Sequence, residues 1–198
     1  MSQGYVADFL GGMEKICRDL DRKKVDQVIE GIFSLWRNDR QLFLIGNGGS
    51  ASTATHFACD LNKCTIVPGK RRMRVVSLVD NIPLVSALTN DDGWENVYVE
   101  QLMNFYRPGD GILGISVHGG KGKDKAGVWS QNLLKAMQYV KDQNGPVFGF
   151  AGFDGGAFVS VCDACIVVPY NTTPHVEAFH VALHHLITGA IAEKIKVS

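Results

Sequence analysis

The chain has 198 residues, 45% apolar and 20% charged, and its 20 basic residues are balanced by 20 acidic ones. That composition belongs to a folded globular protein with a sizeable core and excludes a disordered or low-complexity chain. A formal net charge of zero gives no argument for a nucleic-acid or membrane partner. There is no signal-peptide pattern and no apolar run near the ~18 residues of a membrane span, so a cytoplasmic protein is expected.

In chain order, Tyr5, Phe9, Met13, Ile16 and Leu20 follow helical spacing, as do Val25, Ile29, Ile32 and Trp36. They predict helix over 5–36, with "DRKK" (21–24) as a candidate break. "QLFLI" (41–45) is a short apolar run ending in glycine, as in a buried parallel strand. A helix is expected from about Ser50, a second strand over 74–79, and helices over 83–91 and 94–105. "GDGILGISV" (109–117) reads as the third strand, followed by a helix over 130–143. Strands over 146–152 and 164–170 and a long helix over 173–194 complete the chain.

Strands that alternate with helices predict an α/β fold: a doubly wound three-layer sandwich with a mostly parallel five-stranded sheet, plus an N-terminal helix. We expect one domain over 1–198, with an N-terminal helical segment at 1–37 and the α/β core at 38–198. In such sheets ligands bind at the carboxyl ends of strands. That rule selects "GNGGS" (46–50), "TND" (89–91) and "SVHGG" (116–120).

Five cysteines, Cys17, Cys59, Cys64, Cys162 and Cys165, are an odd count that suggests reduced thiols. "CDAC" (162–165) leads into the apolar run "CIVVPY" and reads as structural. The basic run "GKRRMR" (69–74) reads as a solvated loop.

The glycines of "GNGGSA" (46–51) let the backbone turn sharply, and the helix-start amides with Ser50 offer an anion site. Gly46, Gly48 and Ala51 also match the loose dinucleotide pattern, but its acidic partner is not in place: Asp80 comes 32 positions after Gly48. His56 and Asp60, at i and i+4, share a helix face. The C-terminal helix adds Glu177, His180, His184 and His185, and four of the six histidines fall within 175–185. Two histidines with two carboxylates would suit Zn²⁺ or a similar divalent ion. Spacing leaves one ligand open, because His184 lies two turns from Glu177 whereas His185 is offset by about 80°.

"GNGGSASTATHFACDL" (46–61), "ALTNDDGWENVYVEQL" (87–102), "GDGILGIS" (109–116), "SQNLLKA" (130–136) and "VEAFHVALHHLI" (176–187) together resemble the phosphoheptose isomerases, a branch of the sugar isomerase (SIS) family. The matches run in order over residues 40–190. The resemblance implies the SIS fold and isomerisation of sedoheptulose 7-phosphate to D-glycero-D-manno-heptose 7-phosphate. It also implies zinc or another divalent metal, one per site, and a homotetramer that the N-terminal helix helps to build.

By position, Asn47, Gly48 and Gly49, with Ser50 beside them, would contact the sugar phosphate. Asn90 and Asp91 would bind sugar hydroxyls, and Ser116 and Ser130 would hold the phosphate. His56, Asp60, Glu177 and His185 would hold the metal, with Glu177 also reaching substrate. Asp60 would double as general base and His185 as general acid. Ketose–aldose conversion needs such a base, a proton shuttle for the oxygens and charge stabilisation at the enediolate.

The chain departs from the family pattern in places. It has Asp60 where Glu is usual, Glu177 where Gln is usual, and Pro174 where a polar residue is usual. His118 stands where a phosphate-binding serine is expected, and "HGGKGKDKAGVW" (118–129) replaces the family's serine-rich loop. We read this stretch as a lid, with Lys121, Lys123 or His118 supplying charge to the phosphate. The alternative to an enzyme is a non-catalytic SIS-fold adaptor that binds a replication initiator or senses a phosphosugar. Asp60 and His185 favour the enzyme.

Overall fold

A computed structural model describes residues 2–120 and 130–198. The lid reading of Lys121 and Lys123 lies outside the described residues.

Helices α1 (Ser2–Asp19) and α2 (Arg22–Arg37) divide the helical stretch expected over 5–36 at its candidate break, "DRKK". The break is a cap: the Asp21 carboxylate accepts hydrogen bonds from the amides of Lys23 (3.0 Å) and Lys24 (3.3 Å). α2 buries Val25, Val28, Ile29, Ile32, Phe33, Leu35 and Trp36 along one face. The rest of the chain alternates as read. β1 (Gln41–Gly46) leads into α3 (Gly49–Cys64), and β2 (Arg74–Ser77) into α4 (Ile82–Asp91). A 3₁₀ turn at Trp94–Asn96 precedes α5 (Val99–Phe105), which splits the helix expected over 94–105. Then follow β3 (Gly111–Ile115), α6 (Gln131–Asp142), β4 (Val147–Gly152), the short α7 (Phe158–Val161), β5 (Ala164–Val168) and α8 (Thr173–Lys196). α7, which no sequence period marks at four residues, anchors the fully buried Phe158.

All five strands are parallel, in the order β2-β1-β3-β4-β5. Strand alternation divides the core. Leu42, Leu44, Leu113 and Ile115 face α2, α3 and α8, while Phe43, Ile45 and Ile112 face α5 and α6. The strand order reverses between β1 and β3, where Gly46 pairs with Ile115. The glycine turn and Ser116 therefore emerge side by side at the carboxyl ends of two central strands, the usual ligand crevice of such sheets.

The "GKRRMR" loop is not simply solvated: Arg71 donates to the carbonyls of Trp36 and Arg37, and Arg74 to that of Asp39. These cations meet the last carbonyls at the C-terminal end of α2. Cys165 is buried in β5, and its hydrogen bond together with burial pushes the Cys162 thiol up, so that it stays protonated. Among the described residues no helix is long and apolar enough to cross a membrane.

Candidate active site

The turn after β1 is built for glycine. A Cβ on Gly46 would come within 2.5 Å of the Ser50 carbonyl oxygen, and Gly48 takes φ +55°, ψ −124°. Ser50 is buried, and its amide bonds the Asn47 carbonyl at 3.0 Å. Two side chains clamp the turn from across the crevice. The Tyr98 hydroxyl donates to the Gly46 carbonyl at 2.6 Å, and burial raises its pKa so that it remains a donor. Asn132 exchanges hydrogen bonds with Asn47: the Asn47 amide donates to Asn132 (3.0 Å) and the Asn132 amide to Asn47 (2.8 Å). The Asn47 side chain thus holds α6 against the turn, and the first amides of α3 are the groups the turn has to offer an anion.

Ser116 and Ser130 are both buried. The Ser116 hydroxyl accepts from the Gly120 amide at 3.2 Å, and Ser130 immediately precedes α6. His118 packs against the Phe153 ring at 4.3 Å. Asn90 and Asp91 end α4, are exposed, and bond one another at 2.6 Å. Asp80, the nearest acid to a dinucleotide pattern, is taken up by a hydrogen bond from Thr55.

The second half of the site forms where α3 packs on α8. His56 and Asp60 stand one turn apart on α3 and meet His184 and His185 of α8. Three imidazoles converge on one Asp60 oxygen, Oδ2: His185 Nδ1 at 3.0 Å, His184 Nδ1 at 3.5 Å and His56 Nε2 at 3.7 Å. One donor atom from each of the four residues lies within 4.8 Å of the others. His184 is wholly buried, whereas His56 and His185 are half-exposed. Burial first, then repulsion from His185 and His56 against the pull of Asp60, holds the His184 pKa down to about 4. Its ring is neutral at physiological pH and keeps a lone pair.

Three imidazole nitrogens and a carboxylate oxygen are a donor set suited to zinc. Filled tetrahedral sites place donors about 3.3 Å apart, so small side-chain movements would close this one. Both ring nitrogens of His184 are buried without a hydrogen-bond partner, a condition that a bound cation relieves at one of them. The residues present therefore fit a divalent ion.

Glu177 stands apart from the four. It lies over the glycine turn, where a Cβ on Gly49 would meet its carboxylate at 2.8 Å. With His56, Ser52, Thr53 and Pro174 it lines a cleft of about 500 Å³ that opens from Gly49. Spacing left His184 and His185 as alternatives, but the structure brings both to Asp60. Tyr98 and Asn132 carry no role in the sequence reading, although "WENVYVEQL" and "SQNLLKA" mark the stretches that contain them.

No family model matches the chain. It is 39% identical over 191 residues to the lincomycin biosynthesis protein LmbN of Streptomyces lincolnensis, covering 94% of this chain and 68% of that one. It is 32% identical over 157 residues to a phosphoheptose isomerase of Nitratiruptor sp., covering 79% of each. The solved phosphoheptose isomerase of Neisseria gonorrhoeae superposes with a TM-score of 0.82 over 96% of each chain at 24% identity, which shows the shared fold. The parallel sheet, its glycine turn and these relatives define a sugar isomerase: the chain belongs to the phosphoheptose isomerase branch of the SIS family. It is an enzyme, a sugar-phosphate isomerase.

Proposed function

We propose that the substrate is sedoheptulose 7-phosphate and the product D-glycero-D-manno-heptose 7-phosphate, reached through an enediol. The observation that carries this reading is the Asp60–His185 pair, 3.0 Å apart at the α3–α8 seam. It is supported by the nearby cleft that opens from the glycine turn.

The amides at Asn47, Gly48 and Gly49, with Ser50, Ser116, His118 and Ser130, hold the phosphate and fix the sugar chain by its far end. Asn90 and Asp91 bind its hydroxyls. Asp60 removes a proton from C1 and returns it to C2. His185 protonates the C2 oxygen as the enediol forms, and takes the proton of the C1 hydroxyl as the aldose carbonyl forms. Protons therefore balance over the cycle. His56, Asp60 and His185 would hold a divalent ion, zinc by donor type, which supplies charge stabilisation to the enediolate.

The half-exposed or more exposed Tyr5, Val6 and Leu10 of α1 support assembly into a homotetramer. The five unpaired cysteines favour a reducing, cytoplasmic setting.

The test is incubation with sedoheptulose 7-phosphate, with and without a chelator, while aldose formation is followed by NMR. Asp60→Asn should lower kcat by about 10²–10⁴-fold with the fold intact. Near-normal kcat in that variant, with metal content checked alongside, would remove Asp60 as the base.

A further inference from the structure

The unassigned group at this site is His184. It is wholly buried, its Nδ1 faces Asp60 Oδ2 at 3.5 Å, and its ring stands edge-on to His56 at 4.4 Å and 4.1 Å from His185. Its remaining side is closed by the Phe57 ring at 5.6 Å, which offers no hydrogen-bonding atom.

Neutral imidazole has one donor and one acceptor nitrogen, and buried polar atoms are nearly always paired. His180, one turn earlier on α8 and equally buried, pairs Nε2 with the Ala151 carbonyl at 3.1 Å and leaves only Nδ1 without a partner. His184 pairs neither nitrogen. Burying histidine to fill space would be poor design where an aliphatic side chain of like size would leave nothing unmatched. The ring instead faces one carboxylate and two imidazoles that already converge.

We infer that His184 is a metal ligand, completing from the buried side a centre of three histidines and Asp60, and that Glu177 is not one of the four donors. This rests on the reading of a divalent ion at the α3–α8 seam. The two half-exposed histidines then close the centre from the cleft side, and the buried one fixes its depth. Glu177 is left free over the glycine turn to meet substrate. Because no hydrogen bond fixes the second nitrogen of His184, the ring is held by packing against Phe57, His56 and His185.

The experiment compares wild type with His184→Leu, His184→Met and Glu177→Ala. Zinc is counted after exhaustive dialysis, affinity is measured by competition with a chromogenic chelator, and the visible bands of bound cobalt(II) report coordination. Wild type should hold one ion per chain. Both His184 variants should bind at least about tenfold more weakly, since loss of a mere outer-shell partner already costs that much. Their cobalt bands should also shift. Glu177→Ala, which removes the side-chain oxygens altogether, should keep the wild-type affinity and bands. Methionine adapts to irregular cavities, so His184→Met guards against misfolding of the leucine variant. Metal-free, both His184 variants should melt no lower than metal-free wild type, because a histidine retained for packing would give the opposite.

Unchanged affinity and bands in the His184 variants overturn the inference while leaving the metal centre standing. Loss of zinc in Glu177→Ala with retention in His184→Leu overturns it as well. Wild type that binds no divalent ion overturns the metal reading itself, a distinct result.

Discussion

Asn132 has no solvent exposure, yet its amide is engaged at both ends: its nitrogen donates to Asn47, and its oxygen accepts from Asn47 and from the Leu133 amide at 2.9 Å. Removing one member of such a set leaves the other buried and unmatched, which costs more than the bond contributed. Asn132→Leu, similar in volume, should lower stability by about 1–3 kcal/mol, read as a fall in the urea midpoint at constant m-value. An unchanged midpoint would mean that the Asn47 amide finds water. Little of this was legible beforehand, because an asparagine inside a helix carries no sign of the partner it meets 85 positions away. The histidines differ. His56 and Asp60 were readable as a pair because four residues along one helix bring side chains together whatever else the chain does. His184 and His185 were not separable, since neighbours on a helix point about 100° apart and only the partner helix decides which directions matter.

Between α1 and α2 the apolar spacing continues almost without interruption, and a period count alone runs one helix through. What ends α1 and starts α2 is Asp21, whose carboxylate takes two amides that would otherwise lack partners. Asp21→Ala should therefore cost about 1 kcal/mol in thermal unfolding, and Asp21→Asn, which keeps the acceptor, should recover most of it. Equal losses in the two variants would assign the effect to charge and not to the cap. All five strands fall where the sequence places them, but four are shorter than their apolar runs, as at 74–79 against Arg74–Ser77, while β1 runs one residue past 41–45 to Gly46. Leu78 is still buried and its amide still bonds the Leu44 carbonyl, so apolar character outlasts the regular strand. The 3₁₀ turn at Trp94–Asn96 and the four-residue α7 are too short to carry a period at all.

Across the whole molecule, His180 ties stability to pH. Burial lowers its pKa to about 4, against 6.5 in the unfolded chain, and the bond to Ala151 opposes the shift only in part. Below pH 6.5 the unfolded chain therefore binds a proton that the folded one refuses, so acid favours unfolding. Stability should be fully present above pH 6.5, fall by about 1.4 kcal/mol per unit below it, and stop falling on this account near pH 4, about 3 kcal/mol in all. Urea midpoints at pH 7 and pH 5 test this, with His180→Gln expected to reduce the difference, the part due to the similarly lowered His184 remaining, and an equal slope in both proteins counting against it. Alternating strands and helices, the glycine turn and the His56–Asp60 pair could all be read from residue order. Each depends on periods and spacings within a few neighbouring positions. The meeting of α3 with α8, the convergence of three imidazoles on one carboxylate and the placing of Glu177 over Gly49 could not. They depend on how two helices more than 100 positions apart rotate as their apolar faces bury against the same sheet, and spacing within either helix leaves that rotation free.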